Sequence, residues 1–142
     1  MNYATTADIL EQMAEAELIA LTDDEGLGLV DETAVDRAVA NAGALIDGHC
    51  HNRYTVPFEP VPELVRMYTV DLAIFNLYSR RTHIATPAII IERQKQALAY
   101  LKRVQDGAAT IDAPSRTVPE STSQGASFSG NDRLFTRKSM RW

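Results

Sequence analysis

Cysteine is almost missing from this sequence: one residue in 142 permits neither an intramolecular disulfide nor a tetrahedral thiolate metal site. A disulfide-stapled secreted scaffold is therefore excluded. Long apolar runs are missing too. No unbroken stretch, Ala88 to Ile91 included, approaches the roughly 20 residues of a membrane-spanning helix. The opening residues Met1 to Thr6 carry no basic region and no apolar stretch, so no signal peptide is expected. Base is in deficit, and a formal net charge of -5 argues against a protein coated in DNA-binding charge. Phosphate-binding and nucleophile motifs are lacking as well. Gly26-Leu27-Gly28 has none of the remaining pattern of a phosphate loop and follows no strand, and no serine sits in a nucleophile elbow. Nothing here assembles an enzyme, and no cofactor is expected.

What is present is enough apolar residue for a core, 45% of the chain, and a length that suits one domain, since two cores would leave each only about 70 residues. The charge is unevenly placed. Residues 1–50 hold eleven acids and a single base, Arg37, whereas residues 51–142 hold thirteen bases and eight acids. A chain acidic at one end and basic at the other can bind copies of itself head to tail, or present two faces to two partners.

Helical periodicity dominates the first hundred residues. Thr5 with Asp8 three positions later forms a capping box, and Ile9, Leu10, Met13, Ala14, Leu18 and Leu21 recur at helical spacing. One or two short helices follow from this, broken near Met13-Ala14. Thr22 to Gly28 is a polar loop punctuated by glycine. Asp31 or Thr33 caps the next helix, whose stripe Val35, Ala38, Val39, Ala42, Leu45, Ile46 and His49 runs to a stop at Gly48. Pro57, Pro60 and Pro62 mark a connector, with Pro62 as the first residue of a helix reaching about Arg81. That helix is apolar on almost every side, which requires burial inside a bundle or between subunits; Asp71 is the odd charge in its middle. Thr86-Pro87 opens a last helix through about Asp106, with Ile90, Ile91, Gln94, Ala97, Leu98, Leu101 and Val104 inside and Gly107 at its end. The expected fold is all-α: a small bundle of four to five helices over residues 1–106, followed by a long extended C-terminal arm over residues 107–142.

Residues 107–132 turn to Gly, Ala, Ser, Thr and Pro with no period, a composition that cannot offset its own ordering entropy. Apolar anchors then return at Phe128, Leu134, Phe135, Met140 and Trp142, interleaved with Arg133, Arg137, Lys138 and Arg141. Those residues could contact phosphates and stack on bases. In an acidic protein they read better as a docking arm for an acidic protein groove, its aromatics serving as anchors.

Other candidate chemistry is thin. His49-Cys50-His51 suggests a metal site, but zinc needs three or four converging ligands and only His83 could join them; a buried thiol flanked by surface imidazoles is the simpler expectation. Asp23-Asp24-Glu25-Gly26 with Glu32 resembles a calcium loop, yet Leu21 falls at the first ligand position and Gly28 at the inward aliphatic one, which favours a solvated acidic turn. No metal site is therefore assigned. Asp71 has no sequence partner suggesting a catalytic dyad, and pairing with Arg66 or Arg53 is the ordinary expectation.

Several segments together resemble one family, the Mu-like phage proteins regarded as head–tail connectors. They are Tyr3-Ala4-Thr5 with Asp8-Ile9; Glu17 to Asp23; Ala42 with Leu45-Ile46-Asp47-Gly48; Arg53-Tyr54 with Pro57; Pro62 to Val65; Asp71-Leu72-Ala73; Leu77-Tyr78; and the terminal Leu134 to Trp142. Met13-Ala14 departs from the aromatic-glycine pair of that pattern, and His49-Cys50-His51 from its usual helix end. The resemblance implies a structural virion protein of the neck, assembled in the host bacterial cytoplasm: an adaptor forming a homo-oligomeric ring of twelve copies below the portal, extending the DNA channel and joining capsid to tail. The implied partners are its own copies, the portal protein and a tail-proximal neck or tail terminator protein. Packaged DNA would pass through without being read, and no membrane is involved. Asp23, Asp24 and Glu25 are candidates for the lumen, where their charge would repel DNA. The competing expectation is a helical DNA-binding regulator reading DNA with Arg93, Lys95, Lys102 and Arg103, the only basic helix available.

Overall fold

The computed structural model describes residues 2–116 of the chain. The arm residues Phe128, Arg133, Leu134, Phe135, Arg137, Lys138, Met140, Arg141 and Trp142 lie outside the described residues. Five helices follow one another: α1 (Thr6–Leu10), α2 (Glu15–Thr22), α3 (Glu32–Cys50), α4 (Glu63–Ser79) and α5 (Ala88–Gln105). Among the described residues there is no strand, only an isolated bridge between Tyr54 and Ser115. The all-α expectation holds.

Local chemistry explains the boundaries. Thr5 accepts from the Asp8 amide while the Asp8 carboxylate accepts from the Thr5 amide, the reciprocal capping box read in the sequence. The break falls at Met13-Ala14, so the opening segment is two short helices, α1 and α2. Asp31, rather than Thr33, caps α3, accepting from the amides of Thr33 and Ala34. The end of α3 differs from expectation. Gly48 is an interior helical residue, and the helix runs on to Cys50, with the His51 amide donating to the Asp47 carbonyl. Ile46 and Cys50 both face the core at one helical turn's spacing, and their burial carries the helix past a glycine that costs only about 1 kcal/mol in a helix. Pro62 and Pro87 each sit at the N-cap, one residue before their helices begin.

α3, α4 and α5 pack on one another, and α1 and α2 lie across α3 and α4, so α4 touches all four other helices. That placement accounts for its apolar surface. Val65, Val70, Leu72, Ala73, Ile74, Leu77 and Tyr78 point several ways and are all buried. Truncating Ile74 or Leu77 to alanine costs about 2–5 kcal/mol. Most of the apolar surface of this helix is thus met within the chain, while Met67 stays 47% exposed. Buried Thr69 donates to the Val65 carbonyl, and no buried side-chain polar atom lacks a partner among the described residues.

The boundary after α5 also differs. Gly107 ends the helix in the left-handed region at φ +83°, its amide bonding the Val104 carbonyl and the Ala108 amide bonding that of Arg103. This is a Schellman stop. Residues 108–116, which composition assigned to the linker, instead fold back on the bundle. Ile111 is buried, Ala109 and Ala113 pack beside it, and the Ile111 amide donates to the Tyr54 hydroxyl at 2.8 Å. The folded unit therefore includes residues up to 116.

Candidate docking surfaces

Two polar knots hold the ends of the bundle. At the C-terminal end of α3, Tyr3 is buried with Phe58 and Tyr54, ring centroids 5.9 Å apart in each pair with Phe58. The Tyr3 hydroxyl donates to Asp47 and accepts from the Phe58 amide at 3.1 Å. Burial first, and the Asp47 carboxylate second, raise the Tyr3 pKa well above the ordinary phenol range. The Arg116 amide donates to the Arg53 carbonyl at 2.8 Å. Start, connector and post-α5 segment thus meet at one place.

The other knot is the loop between α2 and α3. Buried Thr22 donates to the Leu18 carbonyl and accepts from the Asp31 amide, closing the loop at its base. The Asp23 carboxylate accepts from the amides of Leu27 and Gly28 at 2.9 and 2.7 Å, and those bonds hold its pKa below the ordinary 3.8. Gly26 and Gly28 both have positive φ, 73° and 72°, which lets the turn wrap its own carboxylate. Asp24 reaches across to the end of α4, bonding Arg80 at 2.7 Å and pairing with Arg81. The Arg80 hydrogen bond and then the two positive charges lower its pKa. Arg80 and Arg81 also donate to the Leu21 carbonyl, answering the C-terminal end of α2.

This loop displays two leucines. Leu27 is 67% exposed and Leu29 68%, the most exposed large hydrophobics among the described residues. With Val30 they line a groove of about 270 Å³ rimmed by Asp23, Asp24, Glu25, Asp31 and Glu32. Asp23, Asp24 and Glu25 thus occupy one loop as the sequence places them, but in different roles. Asp23 is tied into the turn, Asp24 is answered by two arginines, and Glu25 is exposed on the surface. The arginines were not found from sequence, since 56 residues separate Arg80 from Asp24. The leucines were not singled out from sequence either; the signal was an apolar Leu27 inside the polar, glycine-punctuated loop and Leu29 just beyond it.

The remaining candidates take ordinary places. Cys50 is buried, and burial, with a smaller contribution from Asp47, pushes its thiol up to about 11, far from the thiolate a metal or a nucleophilic reaction needs. His49 bonds Gln105 and His51 the Gly48 carbonyl. No three His, Cys, Asp or Glu side chains converge on a metal position among the described residues. Asp71 is half-buried, and burial raises its pKa against the opposing charge of Arg93. The positive charge acting on it is that of Arg93 on α5, while Arg66 pairs with Glu63. No helix among the described residues is long and apolar enough to cross a membrane.

The residues that carry the family resemblance converge in these two knots: Tyr3, Asp47 and Tyr54 at one end, Leu21, Thr22 and Asp23 at the other. The chain is 29% identical over 118 residues to gene product J of Escherichia phage Mu, a match spanning 82% of this chain and 81% of the relative. The family model described as Bacteriophage Mu, Gp36 matches residues 3–129, and the chain belongs to that phage family.

Proposed function

We propose that this protein is a structural component of the virion neck, a head–tail connector that forms a ring below the portal, extends the DNA channel and joins capsid to tail. The observation that carries this is the polarity of the bundle. Its core is closed within one chain, while an apolar, acid-rimmed loop projects at the N-terminal end of α3 and the described chain leaves at the other end. Different surfaces at opposite ends suit a heterologous contact, the kind that closes into a ring when the rotation between neighbours allows. Membership of the Mu family supports a phage role. Because Asp24 shares its charge with Arg80 and Arg81, the loop acids fit an interface between neighbours better than a wall that repels DNA. The basic residues of α5 do not favour DNA reading: Arg93 lies near Asp71, and Lys95, Lys102 and Arg103 are spread along an exposed flank.

The test is electron microscopy of the purified protein with and without its portal, beside light scattering. Rings of twelve that seat on the portal are the expected result. A protein that stays monomeric at all concentrations and ignores the portal would overturn the proposal.

A further inference from the structure

We infer that the groove around Leu27, Leu29 and Val30 receives the basic, aromatic segment 133–142 of a second copy of this chain. The inference rests on the ring proposed above and identifies the contact that links one subunit to the next. Three observations carry it. First, the groove is built rather than incidental: Thr22 and Asp31 close the loop, the Asp23 carboxylate braces its turn, and Arg80 and Arg81 hold it to α4. A loop so fixed holds its two leucines outward at little further ordering cost, the preorganisation that favours binding. Second, the groove and the segment are complementary. Leu27, Leu29 and Val30 sit inside a rim of acids, of which only Asp24 is in an ion pair among the described residues. Segment 133–142 holds Arg133, Arg137, Lys138 and Arg141 among Leu134, Phe135, Met140 and Trp142, with no acid. Apolar anchors ringed by charges of the sign opposite to the rim give both affinity and register.

Third, the geometry runs head to tail. The last described residue, Arg116, bonds the carbonyls of Arg53 and His51 just beyond the C-terminal end of α3. The groove includes Asp31, the N-cap of that same helix. Nineteen residues of α3 separate the two places by about 28 Å at the helical rise. The sixteen residues 117–132 can reach about 55 Å at full extension, enough to cross to a neighbouring bundle. Exit at one end and acceptance at the other repeat from copy to copy, as a closed ring requires.

Disulfide trapping in the full-length chain tests this, and the single native cysteine, Cys50, is buried and leaves the background clean. A tagged Leu29→Cys chain is mixed with an untagged Phe135→Cys chain under mild oxidation, and the linked heterodimer is read on a non-reducing gel. Thr55→Cys, exposed in the connector, replaces Leu29→Cys in the control. The expected heterodimer exceeds the control by about tenfold or more, since docking raises the local concentration of one thiol at the other. Glu25→Lys on the groove chain lowers it, and Arg137→Glu on the arm chain restores it. Heterodimer no greater than control, with circular dichroism showing folded chains, would overturn the inference, as would a doubly substituted chain that links only within itself. Rings seen in wild type without the linkage would sink this contact and leave the ring standing. The linkage found in dimers or open strings without rings would support the contact and sink the ring.

Discussion

The Tyr3 hydroxyl donates to the Asp47 carboxylate across 44 residues of sequence, tying the start of the chain to the last turns of α3. The same oxygen accepts from the buried Phe58 amide. Removing it leaves that amide without a partner, a loss of about 1–3 kcal/mol. Tyr3→Phe is therefore expected to lower the unfolding free energy by that amount, read as a lower urea midpoint at an unchanged slope. Asp47→Asn retains a carbonyl acceptor and is expected to cost less.

Gly107 ends α5 at φ +83°, and a Cβ there would lie 2.5 Å from the Arg53 guanidinium. Arg53 is the free end of a flexible side chain and can move, so the backbone conformation sets most of the cost. Gly107→Ala is expected to destabilise by about 1–2 kcal/mol, the penalty for a side chain in the left-handed region. For a folded unit of this size the melting temperature falls by about 4 °C per kcal/mol. Gly48→Ala, inside a helix with open space around the position, is expected to stabilise by up to about 1 kcal/mol.

These two glycines show what was legible in the sequence. Helix starts were readable because caps are local: Thr5 with Asp8, and Asp31 before Glu32, satisfy amides within three residues of themselves. Ends were harder, because whether a glycine stops a helix depends on what lies beyond it. After Gly48 comes Cys50, which the core buries; after Gly107 comes a chain that turns back. The packing of residues 108–116 was hidden because a single anchor, Ile111, holds a stretch of otherwise linker-like composition. The loop between α2 and α3 was readable as acidic and glycine-bearing. Its bracing by Arg80 and Arg81 was not, since nothing local joins residues on different helices.

Two aspartates respond to pH in opposite directions. Asp24 has its folded pKa below 3.8 because of Arg80 and Arg81. Its contribution is present above 3.8 and is lost as pH falls through the folded value. Asp71, raised by burial, binds its proton more tightly in the folded state. Its contribution is therefore favourable at low pH and is lost as pH rises from 3.8 through the folded value. Carboxyl-detected NMR is expected to find Asp24 titrating below Asp71, and Arg80→Ala to move Asp24 upward while leaving Asp71 in place. Asp71→Asn is expected to gain stability over the native chain at neutral pH and to lose that gain in acid.

The last prediction concerns where the folded unit stops. Composition places a boundary at 106, but Ile111 is 5% exposed against the core, its amide bonds Tyr54, and the Thr110 carbonyl accepts from Tyr100 at 2.6 Å. A chain ending at 106 loses the burial of Ile111, worth about 2–3 kcal/mol, and uncovers the Tyr54 hydroxyl and the flank of α5 beneath it. A chain ending at 116 retains all of these contacts. Denaturant unfolding is expected to give the 116-residue chain nearly the stability of the full protein, while the 106-residue chain falls by about 2–5 kcal/mol, within the range that Ile111→Ala alone would cost. Equal stability for the two truncated chains would mean that the segment merely rests on the bundle. If the 116-residue chain is as stable as the full chain but no longer assembles, the residues beyond 116 act between subunits and not in the fold.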